Sequence, residues 1–155
     1  MKNEQKYLQF GKYTSGCPQW LLDKSALIKN SNHDENYVKE VLTLIRDEFD
    51  DKVYQTTTTT DFKKSRYINV ADIMLRRQNT CGSLATVVAA VLRSLNIPTK
   101  LIHGYYQEVN PDMRHAWNEV YIDDAWQPFD ITRKDFTIGS KHYKESEVVD
   151  WSELQ

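Results

Sequence analysis

Three residues of this chain, Cys81, His115 and Asp130, have side chains that could cooperate in covalent catalysis. A cysteine thiolate is a nucleophile, a histidine can accept and return its proton, and a carboxylate can orient the imidazole. Each residue alone also fits an ordinary structural role: a buried core cysteine, a half-exposed strand histidine or a turn-capping aspartate. The hypothesis depends on all three meeting at one place, and therefore on the elements that carry them.

The segment around Cys81 suits a reactive thiol. Asn79 and Thr80 are candidate helix caps, which would put Cys81 in the first turn, where free N–H groups and the helix dipole favour a thiolate. Gly82 leaves space for a substrate carbonyl, and the Cys81 backbone N–H could donate a hydrogen bond to an oxyanion. Apolar residues then recur at helical spacing as far as Leu95, ahead of a stop at Asn96 and Pro98.

The pattern around this helix predicts the α+β class. Helices are expected over about 34–50 and from Asn69, and a short helix among loops over 7–29. After Pro98 the period changes to two, which predicts strands over 100–106, 114–122 and 125–129, with a tight turn at 123–124. An antiparallel sheet of at least three strands would then pack against the Cys81 helix. His115 would begin one strand and Asp130 would end the next, so that Asp130 could accept a hydrogen bond from His115 Nδ1–H.

Composition excludes several classes of protein. The chain has 155 residues, 40% of them hydrophobic, which fits a single domain over 1–155 with one core. The net charge of −2 comes without a basic stripe, so we expect no nucleic-acid partner. The apolar runs are too short for a membrane span, and the polar start lacks a secretory signal, which favours a cytoplasmic protein. The sequence makes no prediction about oligomeric state.

Several motifs together resemble the transglutaminase-like superfamily. They are Asn79-Thr80-Cys81-Gly82, Leu92-Arg93, Ile97-Pro98, Gly104, His115-Ala116-Trp117-Asn118-Glu119-Val120-Tyr121, Trp126 and Asp130. The resemblance covers a core motif region of about 68–132 and implies a papain-like fold. It assigns Cys81 as nucleophile, His115 as base and Asp130 as the residue that orients the base. The departures are small: Asn96 replaces a usual glycine, Lys100 a common arginine, and the turn at 123–125 lacks glycine.

Other candidate site residues are less specific. A second oxyanion or substrate-binding contact could come from Tyr54, Gln55, Gln78, Asn79, Gly82 or Trp117. Two alternatives use Cys81 differently: a disulfide with Cys17, or a zinc site with His103 and His115, although the latter lacks closely paired ligands. We expect neither a metal nor an organic cofactor.

The predicted function is thiol-dependent acyl transfer on an amide or peptide bond of a protein or peptide substrate. The thioester would be released by water, as in a peptidase, amidase or glutamine deamidase, or by an amine, as in a transglutaminase. The resemblance favours a hydrolase. An acyltransferase that uses a thioester donor would need a further pocket, for which the chain has little room. The alternative from another class is a catalytically inactive module that keeps the fold for binding or scaffolding.

Overall fold

A computed structural model describes residues 4–11, 13–28, 33–49, 69–76, 79–106, 114–132 and 143–149. Within these ranges the helices come first and the strands follow, as the sequence predicts for an α+β protein. The helices are a 3-10 helix Gln5–Leu8, α1 Gln19–Ala26, α2 Glu35–Asp47, α3 Val70–Arg76 and α4 Cys81–Ser94. The strands are β1 Thr99–Tyr106, β2 Arg114–Ile122, β3 Ala125–Phe129 and β4 Tyr143–Val149.

Local sequence signals fix the ends of the helices. Asp34 caps α2, its carboxylate accepting a hydrogen bond from Tyr37 N at 3.0 Å, and Asn69 caps α3 in the same way through Asp72 N. The predicted helix over about 34–50 therefore begins where expected but ends earlier, at Asp47. The periodicity extends further than the helix because the apolar stripe continues to the buried Phe49 after the helix has ended.

Helix α4 is the centre of the core. From Cys81 to Arg93 every residue is buried, because helices pack on one side of α4 and the sheet on another. The helix ends in a Schellman motif, with Ile97 N donating to Leu92 O at 2.9 Å and Asn96 N to Arg93 O at 3.0 Å. Asn96 has φ 64°, so the left-handed conformation expected of this asparagine is present.

The four strands form one sheet in the order β3-β2-β1-β4, and the pairs are antiparallel. Asp123 and Asp124 both have positive φ, 52° and 60°, which is the type I′ geometry of a two-residue hairpin. The predicted tight turn between β2 and β3 is thus confirmed. Strand β4, which pairs with β1 at the edge of the sheet, is not among the three strands that the alternation predicted.

The two faces of β2 have different roles, as the alternation predicts. One face packs on α4: Ala116 clusters with Cys81, Ala85 and Leu101, and Asn118 Nδ2 donates to Ala85 O at 2.9 Å. His115 and Trp117 lie on the opposite face. Because Ala116 contacts Cys81, the start of β2 lies beside the N-terminus of α4. Among the described residues, no helix combines the length and apolar character needed to cross a bilayer.

Candidate active site

Cys81 is the first residue of α4, as the sequence predicts. Thr80 is the N-cap, and its Oγ1 accepts a hydrogen bond from Ser83 N at 3.2 Å. As the first two helical residues, Cys81 and Gly82 have N–H groups for which the helix provides no carbonyl partner. The sulfur therefore lies beside the positive end of the helix dipole. The site is nearly closed, since Cys81 exposes only 7% of its surface.

His115 and Asp130 form a buried pair. Nε2 of the imidazole and Oδ2 of the carboxylate are 2.7 Å apart, with His115 4% exposed and Asp130 1% exposed. Strand pairing explains the meeting: Phe129 lies opposite Asn118, so Asp130 follows on the His115 face, diagonally displaced along the neighbouring strand. The structure thus brings together two residues that are fifteen positions apart.

The prediction that Asp130 would bind His115 Nδ1 is wrong. The carboxylate meets the ring at Nε2 instead, because it approaches the far edge of the imidazole from the neighbouring strand. The Cys81 thiol lies close enough to the ring to contribute to the raised pKa of His115. With Nε2 engaged by Asp130, Nδ1 is the nitrogen that can exchange a proton with sulfur.

The electrostatics of the pair favour a charged imidazole. Burial lowers the pKa of His115, but hydrogen bonds to Asp130 and Cys81, together with their negative charges, outweigh burial and raise the pKa from 6.5 to about 10. The raised pKa favours the imidazolium at neutral pH, in which Nε2–H donates to the Asp130 carboxylate. Such a group can stabilise a thiolate and can later supply a proton to a leaving amine.

The Asp130 carboxylate has contacts that the sequence analysis did not anticipate. Its second oxygen, Oδ1, accepts hydrogen bonds from Thr132 N at 3.0 Å and from Thr132 Oγ1 at 2.6 Å. Ile131 lies between Asp130 and Thr132 in the sequence, and its carbonyl oxygen accepts a hydrogen bond from Arg46 Nη1 of α2 at 2.5 Å. The spacing of Asp130 and Thr132 was a usable signal, because aspartate commonly accepts hydrogen bonds two residues further along a turn.

The other candidate site residues have different outcomes. Trp117 is buried and lies nearly parallel to the His115 ring, with centroids 6.2 Å apart and an angle of 21°, so it forms a wall of the site. Asn79 and Gly82 are buried on either side of Cys81 along the chain. The remaining candidates, Tyr54, Gln55 and Gln78, lie outside the described residues.

The two alternatives for Cys81 find no support. Cys17 and Cys81 are both free thiols, so the disulfide is not formed. In the described part of the chain, no group of three or more His, Cys, Asp and Glu side chains could hold a metal ion, and this includes Cys81, His103 and His115.

A sequence model described as the Transglutaminase-like superfamily matches residues 24–131. The chain belongs to this superfamily. The matched range begins well before the motif region of about 68–132, so it includes the end of α1 and all of α2 as well as strands β1 to β3. No curated protein matches the chain by sequence.

Solved structures of superfamily-like proteins share the fold. A candidate cysteine protease from Cytophaga hutchinsonii has a TM-score of 0.70 and 20% identity, over 94% of this chain and 46% of its own. A second structure, described as a TGase, has a TM-score of 0.56 and 20% identity, over 74% of this chain and 30% of its own. At this identity the likeness shows the transglutaminase-like fold alone. The chain spans less than half the length of both proteins.

Proposed function

We propose that the protein is a thiol-dependent acyl-transfer enzyme that acts on amide or peptide bonds through Cys81, His115 and Asp130. One observation carries the proposal: a buried His115–Asp130 pair at 2.7 Å lies near a cysteine at a helix N-terminus. A binding module would not need an imidazole held charged beside a thiol. The three residues together supply nucleophile, proton donor and orienting carboxylate.

The reaction follows from these positions. The Cys81 sulfur attacks the substrate carbonyl carbon, and the carbonyl oxygen becomes an oxyanion that the Cys81 backbone N–H can stabilise. His115 transfers its Nδ1 proton to the departing nitrogen, the C–N bond breaks, and a thioester remains on sulfur. The neutral imidazole then takes a proton from water or from an amine as that nucleophile attacks the thioester. The thiolate is released and the imidazolium is restored.

Water is the acceptor we favour, which makes the enzyme a peptidase, an amidase or a glutamine deamidase. The fold shared with the Cytophaga candidate cysteine protease, which aligns with nearly all of this chain, supports hydrolysis. The TGase likeness covers less of the chain and keeps transfer to an amine as the second outcome. Both outcomes use the same thioester and differ only in the second nucleophile.

Substrate profiling tests the proposal. The wild-type protein and Cys81→Ala are incubated with glutamine-containing peptides, with and without a labelled primary amine. Ammonia release or peptide cleavage by the wild type alone, without incorporation of the amine, identifies a hydrolase, whereas incorporation identifies a transglutaminase. Equal product from both proteins would contradict the proposal.

Thiol reactivity separates the enzyme from an inactive module, and the chain supplies its own control. Burial raises the pKa of Cys17 to about 11, so this thiol stays protonated at neutral pH. We expect iodoacetamide to label Cys81 in the Cys17→Ser variant much faster than it labels Cys17 in the Cys81→Ser variant. Labelling of Cys81 no faster than a small model thiol would favour the binding module.

A further inference from the structure

The Asp130 carboxylate is held by both of its oxygens, and each oxygen has a different partner. Oδ2 faces His115 Nε2 at 2.7 Å, whereas Oδ1 accepts from the Thr132 hydroxyl at 2.6 Å and from the Thr132 backbone N–H at 3.0 Å. The plane of the carboxylate is therefore defined by Thr132 on one side and His115 on the other.

The torsion that this arrangement fixes is intrinsically soft. Rotation of an aspartate carboxylate about its terminal torsion has broad minima, so hydrogen bonds determine its orientation. A hydroxyl-to-oxygen distance of 2.6 Å lies in the range of a bond to an ionised carboxylate, which is stronger than a neutral one. Asp130 is only 1% exposed, so protein groups rather than bulk water hold most of its carboxylate.

The backbone that carries Thr132 is itself anchored. Ile131, between the two residues, is 2% exposed and belongs to the main hydrophobic core. Its carbonyl accepts a hydrogen bond from Arg46, which lies on α2 and is 85 positions away in the sequence. The backbone position of Thr132 is thus restrained, so its hydroxyl can restrain the orientation of the Asp130 carboxylate.

We propose that Thr132 is a positioning residue, whose hydroxyl locks the Asp130 carboxylate so that Oδ2 stays aligned with His115 Nε2. The inference rests on the proposed function, since alignment matters only if the ring transfers protons. Thr132 donates to Asp130 from both its backbone and its hydroxyl, so its effect passes through Asp130. A misaligned carboxylate would leave the imidazole free to tilt away from Cys81.

Two substitutions at Thr132 and one elsewhere test this proposal. Thr132→Val removes the hydroxyl at nearly constant shape and keeps the backbone N–H bond, and Thr132→Ser keeps both donors. Thr99→Val is the matched control, because Thr99 is a buried threonine whose hydroxyl also bonds two residues back, to Ile97 O at 3.0 Å, at the start of β1. We expect Thr132→Val to lower kcat about tenfold with little change in KM, since small misalignments of a catalytic group are costly. Thr132→Ser and Thr99→Val should stay near wild type.

A second readout does not require turnover. The His115 Nε2 proton, bonded to a buried carboxylate, should give a downfield NMR resonance that exchanges slowly with water. We expect this resonance to broaden or disappear in Thr132→Val and to persist in Thr132→Ser and Thr99→Val. An unchanged resonance in Thr132→Val would overturn the proposal. Unchanged kcat in Thr132→Val would also contradict the proposal. An inactive wild-type protein that still shows the expected resonance changes would reject the proposed function but keep the positioning role of Thr132.

Discussion

The two ends of α4 both bury charged groups, but they hold them differently. At the C-terminal end, Arg93 is 3% exposed and its guanidinium donates to Thr99 O at 3.0 and 2.7 Å and to Gln9 O at 3.0 Å. At the N-terminal end, the buried groups are Cys81, His115 and Asp130. Backbone carbonyls cannot accept a proton at neutral pH, so the Arg93 end is a fixed structural clamp.

The N-terminal end contains groups whose protons can move. The His115 imidazole, whose pKa is raised to about 10, meets the Asp130 carboxylate at 2.7 Å and has the Cys81 thiol near it. The same helix therefore has one end that ties the N-terminal segment to β1 and another that is suited to chemistry. Burial of charge therefore does not by itself mark an active site. What distinguishes the two ends is whether the partners of the charge are titratable.

The largest expected effect is loss of activity at the N-terminal end. Cys81→Ala should lower kcat by about 10⁴-fold or more, as removal of a covalent nucleophile does in acyl-transfer enzymes. The free energy of unfolding should change little, because alanine fills most of the space of a small thiol. Steady-state kinetics and chemical denaturation measure the two quantities. A variant that keeps wild-type activity would remove the distinction between the two ends.

Asp130→Asn should have the next largest effect, lowering kcat by about 10³-fold, because the amide cannot stabilise the imidazolium and can select the wrong tautomer. Loss of the carboxylate also lowers the pKa of His115, since Asp130 is the main group that raises it. The alkaline limb of the pH–rate profile should therefore move to lower pH. A profile that keeps its wild-type alkaline limb would show that Asp130 does not govern the ring.

Arg93→Met tests the opposite end. Removal of the guanidinium leaves the buried Thr99 carbonyl without two of its donors, and we expect a loss of about 2 kcal/mol in the free energy of unfolding. The activity per folded molecule should stay close to wild type. Arg93→Lys is the control, because it restores charge without the planar fork and should recover only part of the stability. A large fall in kcat at unchanged stability would mean that the clamp also serves the chemistry.

The pH dependence of stability should reveal the His115 end. Because the folded-state pKa of His115 is raised from 6.5 to about 10, protonation stabilises the native state. This contribution is fully present below about pH 6.5 and is lost as the pH rises towards 10. Denaturation of wild type and His115→Gln at pH 6 and pH 10 isolates it. The stability advantage of wild type over the variant should shrink at pH 10, and a constant difference would contradict the raised pKa.

The sequence predicted the parts of the fold in which local chemistry and burial agree. The alternation of side chains predicted β2 because every second residue, from Ala116 to Ile122, is buried against the helix layer. Asp123 and Asp124 signalled their turn because aspartate tolerates positive φ. Strand β4 has the sequence Tyr-Lys-Glu-Ser-Glu-Val-Val, in which no apolar alternation distinguishes an edge strand from a polar loop.

The sequence predicted which residues form the candidate site and their order along the chain, but not how their side chains are oriented. The sequence placed Cys81 at a helix start and His115 and Asp130 on neighbouring strands, since those are local properties. It could not give the ring nitrogen that meets Asp130, because this depends on the strand register and on the rotamers of two side chains. The hydrogen bond from Arg46 to the Ile131 carbonyl could not be predicted either, because 85 positions separate the two residues in the sequence.

The smallest expected effect lies just beyond the clamp, at Asn96. This residue has φ 64° in the Schellman motif that ends α4, a conformation that an asparagine adopts at less cost than most residues. Asn96→Ala should lower the free energy of unfolding by about 1 kcal/mol, and Asn96→Gly should leave it equal or slightly higher, since glycine has no steric penalty there. Neither should alter kcat, because Asn96 lies beyond the opposite end of the 14-residue helix that Cys81 begins. Thermal or chemical denaturation measures the order glycine, asparagine, alanine; if alanine were the most stable of the three, the left-handed helix end would be wrong.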